Sequence, residues 1–218
     1  MKREETAATA DHARLMDRIY RGQKHIYDAT RKYYLFGRDR TIAGLDARPG
    51  QSLLELGCGT GRNLLLATRR FPGLNLHGLD ISREMLETAK ARFGREGVQA
   101  TFVAGDATRC RPADFGVEGF DRIMISYALS MIPDWKGTLD AAFDALTPGG
   151  SIHIVDFGDQ SGLPRWFRTL LRAWLAQFHV APRDDMPAVL AGMCRARNLS
   201  LAVETIGRGY AVRAVASA

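Results

Sequence analysis

Three glycines at alternate positions stand at the centre of the segment with the clearest chemical potential. The apolar run Ser52–Leu56, which suits a buried strand, comes directly before Gly57, Gly59 and Gly61. A segment with helical character follows at 63–70. Glycine adopts positive φ easily and lets a ligand approach the backbone closely. The NH groups of such a loop and of the helix N-terminus can therefore bind an anion or a polar group.

Two carboxylates follow the next two predicted strands. Asp80 comes directly after the strand predicted at 74–79, and Asp106 comes soon after the one predicted at 100–104. A carboxylate at the first of these positions can accept hydrogen bonds from both hydroxyls of a ribose. Because Ser82 and a helix follow at once, a capping role for Asp80 is the alternative. Two acids at successive strand ends favour a ligand site over solvated charges.

Glu55, directly before the loop, helps to distinguish two nucleotide-type ligands. A nicotinamide dinucleotide is bound by G-x-G-x-x-G, where the loop meets a pyrophosphate, whereas this loop reads G-x-G-x-G. A carboxylate beside the loop suits a cationic ligand with an amino group better than a pyrophosphate. An adenosyl ligand with a sulfonium and an amino acid tail meets that description.

The elements that position these residues are alternating strands and helices. This alternation predicts an α/β fold with a doubly wound, mostly parallel sheet that binds ligands at the carboxyl ends of its central strands. No helix is predicted between the last two strands, so one of them is expected to run antiparallel. The other predicted helices lie at 82–93, 136–146 and 164–178, and the other predicted strands at Phe120–Ser126, 151–157, 199–205 and 210–216.

The composition limits the class of protein. The 218 residues are 46% apolar and 25% charged, which suits one large domain and excludes global disorder. The polar start predicts no secretory signal, and no run of about 18 apolar residues predicts a membrane span. Three widely spaced cysteines predict neither a disulfide framework nor a metal cluster and fit a reducing compartment. The net charge of +6 favours a polyanionic partner, either nucleic acid or an anionic membrane.

Four short motifs together resemble class I S-adenosylmethionine-dependent methyltransferases. They read ELGCGTG at 55–61, GLDIS at 78–82, GDA at 105–107 and LTPGG at 146–150. The resemblance covers about residues 45–157. It implies a Rossmann-like, seven-stranded sheet with a reversed last hairpin and S-adenosyl-L-methionine as the cofactor. Methyl transfer from a sulfonium is an in-line displacement that mainly needs alignment, so no metal is predicted.

The resemblance also implies roles for single residues. Glu55 and the loop lie near the methionine part of the donor, and Asp80 on the ribose. Asp106 and Ala107 lie at the adenine, and Tyr127 ends the fourth strand beside the transferred methyl group. The full predicted cofactor-binding set is Glu55, Gly57, Cys58, Gly59, Gly61, Asn63, Asp80, Ile81, Asp106, Ala107 and Ser126.

The acceptor has to be inferred from the flanks, because the fold does not name it. Methyltransferases of nucleic acid bases usually carry Asn/Asp-Pro-Pro-aromatic after the fourth strand, where this chain reads SYAL at 126–129, so no nucleic acid partner is predicted. Tyr20, Tyr27 and Tyr34 recur every seven residues and share one face of a continuous helix. Tyrosine faces bind quaternary ammonium groups, although such a stripe is usually packing. Arg38 can bind a carboxylate or phosphate or belong to a solvated face.

The helix predicted at 164–178 has two contrasting sides. Arg165, Arg168 and Arg172 cluster on one side, and aromatic and leucine side chains cover the other. This composition is typical of a helix that lies in a membrane interface. The alternative is a sheet-covering helix whose apolar face is buried.

The flanks also resemble a narrower family, the bacterial diacylglyceryl-homoserine N-methyltransferases that complete betaine lipids. The similar segments are 16–40, 164–183 and 209–211. The resemblance implies three successive methylations of a lipid headgroup amine. Phosphatidylethanolamine N-methyltransferases, which share the Tyr-Asp and Gly-Arg pairs at 27–28 and 37–38, are the alternative, followed by enzymes for other small or hydrophobic acceptors.

On this hypothesis Tyr27, Tyr34 and Tyr127 surround the amine, and Arg38 holds the homoserine carboxylate or a phosphate. The predicted partners are the lipid substrate and an anionic membrane surface. The predicted location is cytoplasmic and peripheral at the inner membrane face. A non-catalytic module that binds the adenosyl cofactor is the alternative from a different class.

Two further expectations concern the fifth strand and the domain limits. His153 and Asp156 are candidates to assist proton removal, with a structural role as the favoured alternative. The predicted organisation is a disordered tail at 1–12, a helical substrate-side cap at 13–48 and a methyltransferase domain at 49–218.

Overall fold

One sheet organises residues 35–217, the part of the chain that the computed structural model describes. Its strands are β1 (Ser52–Leu56), β2 (Asn75–Asp80), β3 (Thr101–Ala104), β4 (Phe120–Ser126), β5 (Leu146–Phe157), β6 (Ser200–Ile206) and β7 (Ala211–Ser217). The seven strands have the order β3-β2-β1-β4-β5-β7-β6. The first five in this order are parallel, and β7 is antiparallel to both neighbours. The predicted doubly wound fold with a reversed last hairpin is confirmed.

The helices of this part of the chain connect the strands. They are α1 (Arg38–Ala43), α2 (Arg62–Arg70), α3 (Arg83–Glu96), α4 (Trp135–Asp144), α5 (Arg165–Ala176) and α6 (Met186–Ala196), with short 3-10 helices at Ala107–Arg109 and Pro112–Phe115. The predicted tail, most of the predicted cap and the residues Tyr20, Tyr27 and Tyr34 lie outside the described residues.

The central strands are buried on both faces, as a parallel sheet between helices requires. All five residues of β1 are buried. One apolar cluster includes Leu139 of α4 and Leu190 of α6. A second cluster includes Ile42 of α1, Leu64 of α2 and Leu86 of α3. The two clusters hold the sheet rigid, so the loops at its carboxyl edge start from fixed positions.

A third apolar cluster lies where β4 and β5 end. It joins Leu35 to Tyr127 and Phe157 at the ends of these strands, and to Leu175 of α5 and Tyr210 before β7. The rings of Tyr127 and Phe157 meet edge to face with centroids 4.8 Å apart. This cluster connects the first described residues with the inner side of α5.

Helix α6 was not predicted from the sequence. Pro187 in its first turn and Gly192 within it obscure the helical pattern, although proline is well tolerated at a helix start. The buried residues Met186, Leu190 and Cys194 lie four apart, so this spacing was the available signal for a helix.

The start of β5 also differs from the prediction. The motif LTPGG was expected to end a helix before a strand at 151, but the strand already begins at Leu146. Its pairing with β4 is irregular there, since Leu146 lies opposite Phe120 and Ser151 opposite Arg122. The proline and glycines fall within this register shift, where no regular ladder is required.

Candidate functional site

The glycine loop follows β1 at the point where the strand order reverses between β1 and β4, which is where open α/β sheets bind ligands. Gly57, Gly59 and Gly61 all have left-handed φ, at 70°, 53° and 69°. A Cβ at Gly57 would lie 2.6 Å from the Cβ of Ala128, and one at Gly61 would lie 2.8 Å from the ring of Phe93. A Cβ at Gly59 would meet nothing within 4 Å. The outer glycines therefore allow close packing, while the middle one borders open space.

The Asp80 carboxylate links the end of β2 to this loop. One oxygen accepts a hydrogen bond from the Gly59 NH at 2.7 Å, and the other accepts one from the Ser82 NH at 2.9 Å. A carboxylate can accept about four hydrogen bonds, so two bonds leave capacity for ribose hydroxyls. The N-cap of α3 is Ser82, whose hydroxyl accepts from the Met85 NH. Ser82, and not Asp80, is therefore the residue that caps α3.

Glu55 is the buried acid of the site, with 1% of its surface exposed. Its Oε1 accepts a hydrogen bond of 2.7 Å from Nδ2 of Asn63, in the first turn of α2. The buried Oδ1 of Asn63 has no hydrogen-bond partner among the described residues. A buried carboxylate beside an amide oxygen gives a place for a cationic amino group.

A cavity next to the loop brings several of the predicted residues together. The Ser126 hydroxyl at the end of β4 is buried on its wall and has no hydrogen-bond partner among the described residues. Burial and the nearby Asp80 and Glu55 raise the pKa of the Cys58 thiol, so this thiol is neutral at pH 7 and is no nucleophile. The lining residues are Leu35, Arg38, Glu55, Gly57, Cys58, Thr60, Arg62, Asn63 and Ser126.

Arg38 lines the same cavity as Glu55. Only 7% of its side chain is exposed, and its Nε lies 3.7 Å from the exposed carboxylate of Asp39. Opposite charges on one cavity wall suit an amino acid group, with Glu55 toward the ammonium and Arg38 toward the carboxylate. Arg38 thus lies on the cavity wall with Glu55, and its predicted contact with the acceptor stays a prediction.

Asp106 lies at the end of β3, beside the end of β2. Its Oδ1 accepts hydrogen bonds from the NH and hydroxyl of Thr108, at 2.9 and 2.8 Å, and so caps the short helix that begins at Ala107. The Gly105 NH donates to the Asp80 carbonyl at 3.0 Å. This contact keeps the two strand ends together. Six residues of the predicted cofactor-binding set do not line the cavity described above, and their contact with the donor stays a prediction: Gly59, Gly61, Asp80, Ile81, Asp106 and Ala107.

Tyr127, directly after β4, is a buried residue. Only 2% of it is exposed, and its hydroxyl donates a 2.6 Å hydrogen bond to the carbonyl of Phe36. Its φ of 54° is left-handed, which is uncommon for a bulky residue. Within the described residues, the ring packs beneath the chain entering α1 and does not line the cavity. A role beside the acceptor amine remains a prediction.

The two candidates on β5 have structural partners. His153 is 3% exposed and is hydrogen-bonded to the Ser151 hydroxyl at 2.9 Å. Burial, with smaller effects of Arg122 and Arg213, lowers its pKa to about 4. Asp156 accepts hydrogen bonds from the Ser130 and Phe157 NH groups, at 3.0 and 2.7 Å.

Asp156 is completely enclosed, and burial raises the pKa of its carboxyl. Its two backbone bonds tie the loop after β4 to the end of β5. The structural interpretation of these two residues is therefore the one that the geometry favours.

Comparison with protein families gives the class of this site. Residues 53–150 match the family described as methyltransferase domain. The demethylmenaquinone methyltransferase of Beutenbergia cavernae is 31% identical over 157 residues, which are 70% of this chain and 61% of that protein. The trans-aconitate 2-methyltransferase of Methylobacterium radiotolerans is 35% identical over 142 residues, 65% of this chain and 50% of that protein. The chain thus spans about half to three fifths of the length of these relatives.

Solved structures agree on the fold. The plantazolicin methyltransferase BpumL, in complex with a desmethyl plantazolicin analogue and SAH, superposes with a TM-score of 0.71 over 100% of this chain and 99% of its own, at 16% identity. The phosphoethanolamine N-methyltransferase 2 of Haemonchus contortus, in complex with S-adenosyl-L-methionine, gives a TM-score of 0.61 over 78% of this chain and 39% of its own, at 22% identity.

The fold is the Rossmann-like fold of the methyltransferases. Residues 53–150 carry a methyltransferase domain, as predicted. The open space at Gly59 and the buried acid Glu55 fit its cofactor, S-adenosyl-L-methionine. None of the relatives named above has diacylglyceryl-homoserine in its name, so that acceptor is a proposal.

Proposed function

We propose that this protein transfers methyl groups from S-adenosyl-L-methionine to the amine of a membrane lipid headgroup, with diacylglyceryl-homoserine as the substrate. The observation that carries the proposal is the position of the cavity. Leu35 lines it beside Glu55 and also belongs to the apolar cluster under α5. A polar reaction site thus borders an apolar region, which suits an acceptor with a polar head and acyl chains.

The donor supplies an electrophilic methyl carbon on a positively charged sulfur. As the nitrogen–carbon bond forms, the carbon–sulfur bond breaks, its electron pair neutralises the sulfonium, and the methylated amine then loses its proton to water. On this proposal Glu55 and Arg38 fix the amino acid tail, and Asp80 fixes the ribose. These residues act by alignment, which can contribute several orders of magnitude to the rate.

Neither of the two candidate bases on β5 is exposed, and this favours a nitrogen acceptor. A neutral amine attacks without prior proton removal. His153 and Asp156 are buried and hydrogen-bonded to neighbouring groups, so neither is positioned to take a proton from a substrate.

Methylation of a quinone ring carbon is the second candidate. It is supported by the demethylmenaquinone methyltransferases among the relatives, including the one at 31% identity. Such an acceptor is also lipophilic and would use the same apolar surroundings. It differs in that the acceptor must be the reduced quinol, whose ring hydroxyl loses its proton before the ring carbon attacks the methyl carbon and the carbon–sulfur bond breaks.

The deciding experiment presents three acceptors to the purified protein in mixed vesicles: diacylglyceryl-homoserine, phosphatidylethanolamine and demethylmenaquinone reduced to its quinol with dithionite. Labelled donor and mass spectrometry follow the products. We expect mono-, di- and trimethylated homoserine lipid, and none with Asp80→Asn. Methylation of the quinone alone would replace the proposal with the second candidate. Donor binding without transfer to any acceptor would favour a non-catalytic module.

A further inference from the structure

Helix α5 turns its apolar face outward. Trp166 is 67% exposed, Leu170 62%, and Phe167 and Trp174 38% each. The inward stripe consists of Arg168, Leu171, Arg172 and Leu175, of which only Leu175 is fully buried. Ordinary surface helices of soluble domains bury the apolar face instead. The alternative of a sheet-covering helix with a buried apolar face is therefore not the arrangement observed.

Arg172 holds the helix in this orientation. Its guanidinium donates to both carboxylate oxygens of Asp184 at 2.9 Å, to the Asp159 carbonyl at 3.0 Å and to the Gln160 side chain at 3.2 Å. These bonds tie α5 to the segments before and after it. Arg172, which the sequence grouped with two other arginines, is thus engaged within the protein.

The remaining charge on α5 is basic. Arg165 and Arg168 form no ion pair with any described residue. Residues 161–183 contain four arginines and no acidic residue. Two tryptophans, a phenylalanine and a leucine thus form an outward apolar surface on a helix whose exposed charged residue is Arg165. Such a surface complements an anionic bilayer, since the rings enter the headgroup region and the Arg165 guanidinium meets a phosphate.

We propose that the outward face of α5, formed by Trp166, Phe167, Leu170 and Trp174, docks on the surface of an anionic bilayer, with the exposed Arg165 at the start of the helix. Among the described residues no helix has the length and hydropathy to cross a bilayer, so α5 lies along the interface. Its inner residues Leu171 and Leu175 pack in the cluster that contains Leu35, which brings the docked surface next to the cavity. This docking rests on the proposed function, because it would bring the protein to its lipid substrate. Vesicle binding can nevertheless be measured without any methyl acceptor.

The test is binding of the full chain to vesicles of phosphatidylcholine alone or with 30% phosphatidylglycerol, followed by flotation and tryptophan emission. The chain has three tryptophans, and Trp135 is buried, so it serves as an internal reference. We expect binding to the anionic vesicles only, with a blue shift of the emission. Trp166→Ala with Leu170→Ala is expected to lower binding about tenfold or more, and Arg165→Glu is expected to lower it separately.

Val203→Ala and Arg70→Glu are the matched controls, since both residues are exposed and lie on β6 and α2. They should bind vesicles like the original chain. All variants should bind S-adenosylhomocysteine unchanged, which shows that they are folded.

Three results would overturn the proposal. The first is that the α5 variants bind vesicles as well as the original chain does. The second is that the tryptophan emission is already blue-shifted without vesicles and does not change when they are added. The third is that light scattering shows a dimer of the original chain that the α5 variants do not form. The last two would mean that another part of the chain or a second copy covers the face. Failure of lipid methylation with vesicle binding intact would count against the proposed function alone.

Discussion

The carboxylate of Asp80 accepts a hydrogen bond from the backbone NH of Gly59 at 2.7 Å. The residue predicted to hold the ribose therefore also fixes the glycine loop. Asp80→Ala removes two bonds to a charged group, so we expect both a loss of about 1.5–3 kcal/mol in the free energy of unfolding and weaker binding of S-adenosylhomocysteine.

Calorimetry and denaturant unfolding measure these two effects. Asp80→Asn should recover part of the stability, because its amide oxygen can still accept one NH, but should not recover the affinity. The control is Asp134→Asn at the exposed N-cap of α4, where asparagine caps equally well. Unchanged affinity in Asp80→Ala would mean that the ribose lies elsewhere.

Substitutions at different glycines of the loop should affect the stability of the fold and the binding of S-adenosylhomocysteine to different degrees. Gly59→Ala places a Cβ in open space at a φ of 53°, so we expect a stability cost of about 1–2 kcal/mol and a marked loss of S-adenosylhomocysteine binding. Gly57→Ala adds a 2.6 Å clash with Ala128 and should destabilise the fold more.

Gly97→Ala is the matched control, with a φ of 64° and no neighbour within 4 Å of its Cβ, at the end of α3. It should show the same strain and normal binding. If Gly59→Ala also binds normally, the open space is not the donor site.

Arg38 can be tested with two ligands that differ in one group. S-adenosylhomocysteine carries the amino acid tail, whereas 5′-methylthioadenosine lacks it. A charge-assisted bond is worth about 1.5–3 kcal/mol, so Arg38→Ala should weaken binding of the first about tenfold or more and leave the second nearly unchanged.

Arg40→Ala, two residues later on α1, is the control, because Arg40 is exposed and pairs with Glu204 at the surface. Equal losses for both ligands would indicate a structural effect. Normal affinity for both, with a raised KM for the lipid, would return Arg38 to the predicted acceptor role.

His153 predicts a dependence of stability on pH. Burial lowers its pKa from 6.5 to about 4, so between these values the unfolded chain binds the proton that the folded chain excludes. The stabilisation is complete above about pH 6.5 and is lost as the pH falls toward 4, by up to about 3 kcal/mol.

Unfolding curves from pH 7 to pH 4.5 measure this loss. His153→Gln should flatten the curve, while the exposed His179→Gln should leave it as it is. Burial also lowers the pKa of His77, which leaves some slope in the first variant. A curve that His153→Gln does not change would show that this imidazole is protonated in the folded chain.

The sequence predicted the sheet because its strands are short apolar runs between turn residues, and it predicted the donor residues because they are close together in continuous motifs around Gly59 and Asp80. Contacts between distant segments left no such pattern. The orientation of α5 depends on Arg172 reaching Asp184, and the burial of Tyr127 depends on the carbonyl of Phe36. Amphipathic spacing shows that a helix has two faces, but does not show which one meets the core.

The contact between Ser130 and Asp156 has a mechanical consequence. Ser130 donates its NH to the Asp156 carboxylate, and its carbonyl accepts from the NH of Ala181, in the connection that leaves α5. Arg183 joins the same two segments, since its guanidinium donates to the carbonyls of Leu129 and Ile132 at 3.1 and 2.8 Å. A force applied to α5 at a surface is therefore transmitted through these bonds to the backbone four residues beyond Ser126.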